Sequence, residues 1–168
     1  MAKLKQKGFF KQAYLEDVSA QIVRDLTQLG KDAAKHAIEK SRYDNVLANL
    51  HDSIGSAVYF NGKLIPSSIR FAERKKSKGV AREGYTGREA INEWFQANRV
   101  IGVKNTFHLV LVAAMPYAEY LEKGTFTSGD KKREIQVISA GTDYIQRHLQ
   151  EYKYFSPKIV QVTGEMVR

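Results

Sequence analysis

The sequence predicts an α+β fold: a small antiparallel sheet with a long N-terminal helix and a C-terminal helix packed on one face. Three patterns carry this. Leu15, Val18, Ile22, Leu26, Leu29, Ala33 and Ala37 recur at steps of three and four, one stripe of an amphipathic helix. Asn61-Gly62 sits between Ile54–Phe60 and Lys63–Ile65, and Asn-Gly is the strongest short hairpin signal because both turn residues need positive φ. Leu109–Ala114 is a near-continuous apolar run, of a length and branching that suit a strand buried on both faces.

The chain has 168 residues, 43% of them apolar, which is enough for one domain, 1–168, with a core of its own. It has no cysteine, so neither disulfides nor thiolate metal sites can hold it together. No apolar run approaches the roughly 18 residues of a membrane span, and the basic start has no hydrophobic segment behind it to make a signal peptide. The net charge of +9 resides in two stretches. Lys3, Lys5, Lys7 and Lys11 form one, and residues 70–88, with seven basic side chains against Glu73 and Glu83, form the other. The rest is balanced, so the pattern is a neutral body with two basic appendages.

In chain order, residues 1–10 read as a basic tail. The helix over 11–39 follows, about 40 Å long at 1.5 Å per residue. Gly30 lies inside it, where glycine costs roughly 1 kcal/mol relative to alanine and can mark a bend. The stripe narrows to Ala33, Ala34 and Ala37, which predicts the close approach of another element there. A polar connector leads to the hairpin, and Pro66 limits its second strand. Residues 66–105 read as a basic, partly structured insertion. Ser67-Ser68 is loop-like, Glu73–Gly79 is a charge run, and Thr86-Gly-Arg-Glu89 fits a capping box opening a helix to about Asn98. That helix would bury Ile91, Trp94 and Phe95.

After the 107–114 strand, Pro116 is placed to open a short helix, with Tyr117, Tyr120 and Leu121 at helical spacing and Gly124 as its cap. Ile135, Ile138, Ile145, Leu149 and Tyr152 fit one more amphipathic helix interrupted by Gly141. A strand at 135–138 followed by a helix capped by Thr142 or Asp143 is the alternative, and the single helix is preferred. Lys158–Thr163 alternates enough for a short strand.

The search for chemistry finds none. His36, His51, His108 and His148 include no pair at metal-ligand spacing. His108 opens a strand and is expected at a polar rim. His51-Asp52-Ser53 has the residue types of a hydrolase triad, but triads are assembled in space, and sequence neighbours point apart. Glu119 and Glu122 read as a solvated face. No Gly-rich phosphate loop ending in Lys-Ser/Thr is present. The expectation is a protein that is not an enzyme, with no catalytic, cofactor or metal residues.

Two segments resemble a family. Asn49-Leu-His-Asp-Ser-Ile-Gly-Ser-Ala-Val-Tyr59 resembles the Asn-Leu-x-x-Ser-Ile segment leading into the first hairpin of tailed-bacteriophage tail-completion, or head–tail joining, proteins. Met115-Pro-Tyr-Ala-Glu-Tyr-Leu-Glu-Lys-Gly-Thr125 resembles their Tyr-Ala-x-x-Val-Glu-x-Gly-Thr segment, where a strand enters a short helix. The resemblance spans about residues 10–152 and includes the order of elements. Leu47-Ala48 stands where the family has Thr-Gly, the 66–105 insertion is longer than a simple loop, and Lys158–Arg168 has no counterpart.

The resemblance implies a structural virion protein: a ring-forming neck or tail component of a tailed phage or prophage, made in the host bacterial cytoplasm. Its partners would be copies of itself and neighbouring connector and tail proteins, with no membrane. Met115, Tyr117, Tyr120 and Leu121 offer the flexible apolar and aromatic surface enriched at interfaces, and are the expected subunit contact. Arg70, Arg74, Lys75, Lys76, Lys78 and Arg82 are the expected contact to phosphate or to an acidic protein surface. The alternative function is a basic nucleic-acid-binding module that uses the 70–88 region on phosphate, independently of base sequence.

Overall fold

The computed structural model describes residues 3–40, 52–72, 87–98, 104–114, 118 and 138–152. Helix α1 spans Lys3–Lys40. Strand β1 is Ile54–Phe60 and β2 is Lys63–Leu64. A 3-10 turn at Pro66–Ser68 leads to β3, Arg70–Phe71. Helix α2 is Gly87–Ala97, β4 is Phe107–Ala113, and α3 is Ser139–His148, closed by a 3-10 turn at Leu149–Glu151.

The sheet is built on β1. Along one side it pairs antiparallel with the whole of β4, from Ile54↔Ala113 to Phe60↔Phe107. Along the other it pairs with β2 at one end, Tyr59↔Leu64, and with β3 at the other, Gly55↔Phe71. The Asn61-Gly62 turn has the expected positive φ at both residues, 52° and 77°. Between β2 and β3 the ladder of β1 is interrupted, and a side chain fills the gap. Buried Ser68 Oγ accepts from Val58 N (2.8 Å) and donates to Ile65 O (2.6 Å). The hydroxyl thus takes the place of backbone groups that the turn at Pro66 carries away.

Side chains alternate across this sheet and divide the core in two. Ile54, Ser56, Val58 and Phe60 share a face with Leu109, Leu111 and Ala113, against α1 and α3. Gly55, Ala57 and Tyr59 share the other face with Val110 and Val112, against Ile91 and Phe95 of α2. The long N-terminal and C-terminal helices therefore cover one face, as the sequence predicts. The aromatic helix α2 covers the opposite one.

Glycines set how closely the helices lie. A Cβ on Gly30 would stand 2.5 Å from Ser56 Oγ and 2.8 Å from Leu109 Cδ1. Gly30 is thus a notch in a continuous helix that admits the sheet. The small stripe at Ala33 and Ala37 receives α3 at Gly141, the close approach that the stripe predicts.

Four readings are corrected. Residues 3–10 are the first turns of α1, not a tail; lysine, leucine and glutamine are good helix formers, and the helix runs through Gly8 although glycine costs it about 1 kcal/mol relative to alanine. The central strand is β1, buried from Ile54 to Tyr59, whereas β4 stands at the edge of the described sheet and only its Val112 is buried. Residues 66–72, read as part of the insertion, belong instead to the sheet through β3, and Ala72 N–H donates to Ile54 O (3.0 Å); residues 73–86 lie outside the described residues. Among the described residues, α3 begins at Ser139 after a bend at Ile138 and runs through Gly141; Thr142 back-bonds to Ile138 O instead of capping. Residues 135–137, the end of the chain from 153, and Thr86 of the capping box lie outside the described residues. No described helix is long and apolar enough to cross a membrane.

Candidate interaction surfaces

The residues expected at a subunit contact, Met115, Tyr117, Tyr120 and Leu121, lie outside the described residues. Ala118, between them in sequence, is helical and buried, packed with Ala34, Ala37, Ile38, Ile54 and Ala72. That position is therefore committed to the core.

Of the basic residues, Arg70 is described, and Arg74, Lys75, Lys76, Lys78 and Arg82 are not. Arg70 is exposed on β3, and its Nη1 donates to the carbonyls of Ser67 (2.9 Å) and Ile69 (2.8 Å). Those bonds steady the guanidinium at the surface. On the far side of the basic excursion, exposed Arg88 in the first turn of α2 lies with Cζ 5.4 Å from the centre of the Phe71 ring. Phe71 of β3 thus meets the start of α2, and the two ends of residues 73–86 are held near one another. By sequence Arg70 belongs to the excursion and Arg88 to its edge; in the fold both are anchors.

A surface that sequence reading misses lies along α1. A cavity of about 330 Å³ opens between Ser19, Ala20 and Val23 of the helix and Phe60, Leu64, Ile65 and Phe107 of the sheet, with Lys63 at its rim. Phe60 and Phe107 stack across β1 and β4 at 4.5 Å. One helical turn before Ser19, Leu15 is 53% exposed. The signal lies in the stripe, whose apolar residues continue past the point where the core ends.

The described histidines, His36, His108 and His148, are packing groups. His36 of α1 lies 5.1 Å from the Tyr144 ring, and Tyr144 stacks on His148 at 3.9 Å, clasping α3 to α1. Burial, and next the cations Lys40 and Arg147, hold His36 below the usual imidazole range. His108 faces the α2 side of the sheet opposite Tyr59 with Nε2 buried, not at a polar rim. Asp52 and Ser53 are buried at the start of β1, an arrangement of chain packing and not of an accessible nucleophile. His51, Glu119 and Glu122 lie outside the described residues. Among the described residues no three His, Asp or Glu side chains are grouped to hold a metal ion.

Tyr59 is the most buried phenol among the described residues: its hydroxyl donates to Phe95 O (3.0 Å), and burial pushes its pKa up to about 12. This is a structural clamp between the sheet and α2. No family model, curated protein or solved structure matches this chain.

Proposed function

We propose that the chain is a ring-forming tail-completion or head–tail joining subunit at the neck of a tailed phage or prophage. The observation that carries this reading is the pair of segments Asn49–Tyr59 and Met115–Thr125, in an order of long helix, hairpin, excursion, strand and C-terminal helix. The first segment runs into the central strand β1, and the second begins two residues after β4. Such a role asks for assembly surfaces and not for a reaction centre. The exposed face of α1 and the apolar cavity beside it are surfaces of that kind. Met115, Tyr117, Tyr120 and Leu121 belong to this reading as a contact between subunits.

The test is genetic and visual. Deleting the coding sequence from the phage or prophage that carries it is expected to leave filled heads and free tails that do not join. Electron microscopy of wild-type particles labelled through a tag on this chain is expected to mark the neck. Normal tailed, infective particles made without the chain would overturn the reading.

A second reading is favoured by Arg70 and Arg88, both exposed and both anchored at the ends of the basic run. They would present residues 73–86 to phosphate, and a neck ring surrounding a DNA passage would make the two readings compatible.

A further inference from the structure

Helix α1 has 38 residues, about 57 Å at 1.5 Å per residue, yet among its described side chains the buried hydrophobic ones begin only at Leu26. Residues 15–25 therefore run past the packed core of the described residues. The apolar face continues regardless: Leu15 is exposed, and Val18, Ile22 and Val23 are half-buried. At about 100° per residue these positions and Ser19 fall on one side of the helix. The apolar cavity at Ser19, Ala20 and Val23 extends this side onto the sheet.

Charge decides what fits. Residues 1–15 hold Lys3, Lys5, Lys7 and Lys11 and no acid. Residues 16–25 hold Glu16, Asp17 and Asp25 against Arg24 alone. The N-terminal half of the helix thus changes sign beside the exposed Leu15. A second α1 laid parallel would set lysines against lysines. Laid antiparallel with the two Leu15 at the crossing, it sets the basic turns of each copy along the acidic turns of the other. Lys7 and Asp25 lie eight and ten residues to either side of Leu15 and, at about 100° per residue, on the same flank of the seam, so they come within about 3 Å of level. Asp25 already accepts from Gln21 Nε2 (2.7 Å) through Oδ1, which leaves Oδ2 for the lysine.

We propose that the N-terminal half of α1 is a self-association surface. On it a second copy of this chain packs its own α1 antiparallel, Leu15 to Leu15, with Lys7 of each copy against Asp25 of the other. The apolar stripe supplies the affinity, and the charge pattern selects direction and register. This contact does not depend on the phage reading, because it follows from α1 alone.

Sedimentation velocity on the full chain, across micromolar concentrations and at two salt levels, tests it. The wild type is expected to sediment as a dimer or an even multiple, less tightly at high salt. Leu15→Asp is expected to weaken association by roughly tenfold or more, because it sets a charge in the apolar seam. Lys7→Glu and Asp25→Lys are each expected to weaken it by about two- to fivefold, and the double variant to restore it. Circular dichroism of each variant checks that the helix remains. A wild type that is monomeric alone, or that associates only with a different protein, overturns the proposal. So does Leu15→Asp that lowers the thermal midpoint of a monomer, the result if another segment of the same chain covers this face. Charge reversals whose losses add instead of cancelling overturn the register.

Discussion

Gly141 of α3 rests on the backbone of Ala33 in α1: a Cβ placed on Gly141 would lie 3.0 Å from the Ala33 carbonyl oxygen. It would also lie 2.6 Å from Leu111 Cδ2 and 3.3 Å from Ala37 Cβ. A leucine tip can turn away, but a helix carbonyl cannot. Alanine in place of glycine gains about 1 kcal/mol in helix propensity and meets an overpacking cost of about 1–3 kcal/mol. Gly141→Ala is therefore expected to destabilise the fold by up to about 2 kcal/mol, and Gly141→Val by more, measured by chemical denaturation. A clearly stabilising alanine, or a neutral valine, would mean that α3 does not sit this close.

Tyr59 provides a second test, from the other face of the sheet. Its folded pKa of about 12 lies above the ordinary phenol value of 10.0, because burial disfavours the phenolate. Between those values the folded state holds a proton that the unfolded state has given up. The stability it contributes is complete below pH 10 and is lost as pH rises towards 12. Tyr59→Phe is expected to cost about 1 kcal/mol at neutral pH, from the bond to Phe95 O. It should also flatten the alkaline limb of the stability profile. An unchanged limb would place the titration elsewhere.

What is legible in the sequence follows from how local each cause is. The Asn61-Gly62 turn needs only its own two residues, and the fold places it at those residues. The alanines at 33, 34 and 37 announce a close neighbour, though not that Gly141 supplies the other half. Centrality in a sheet depends on pairing, which is not local, so the central strand is hidden. Leu109–Ala114 has the stronger apolar run, while Gly55 and Ser56 make β1 look weak, yet it is β1 that pairs on both sides. Arg70–Phe71 is a two-residue strand, too short for any period to show. On α1 the stripe carries no sign of where its cover ends. Leu15 and Leu29 occupy the same face by sequence, and only packing separates an exposed residue from a buried one.

The clasp of His36, Tyr144 and His148 predicts an acid limb. His36 lies below the ordinary value of 6.5, first through burial and then through Lys40 and Arg147, with Glu39 opposing and His148 adding to the effect. The unfolded chain then binds a proton before the folded one does. Stability is complete above about pH 6.5 and falls as pH drops through the folded value. His36→Phe is expected to keep the ring contact with Tyr144 and to flatten this limb in urea denaturation across about pH 4–8. Arg147→Gln removes one of the cations, brings the folded value nearer to 6.5, and should make the acid loss shallower than in the wild type. An unaltered acid profile in both variants would remove His36 as its source.

The basic excursion is where the two functional readings divide. Arg74, Lys75, Lys76 and Lys78 lie within five positions, between anchors at Phe71 and Arg88 that the fold holds independently of them. Replacing all four with serine should therefore leave the thermal midpoint nearly unchanged. If the run meets phosphate, the wild type binds duplexes of unrelated sequence equally, because phosphate contacts carry no base information. Affinity then falls steeply with salt, and the slope of log K against log salt drops by about 0.9 for each phosphate contact removed. The quadruple variant should show that smaller slope, and Arg70→Ser or Arg88→Ser should reduce it further by about one contact each. Fluorescence anisotropy with a labelled duplex at two salt concentrations reads all of this. The protein-contact reading predicts the reverse: no duplex binding by the wild type at either salt, and failure of the quadruple variant to join neck partners. Binding that survives the four substitutions with its slope intact would exclude this run as the phosphate contact.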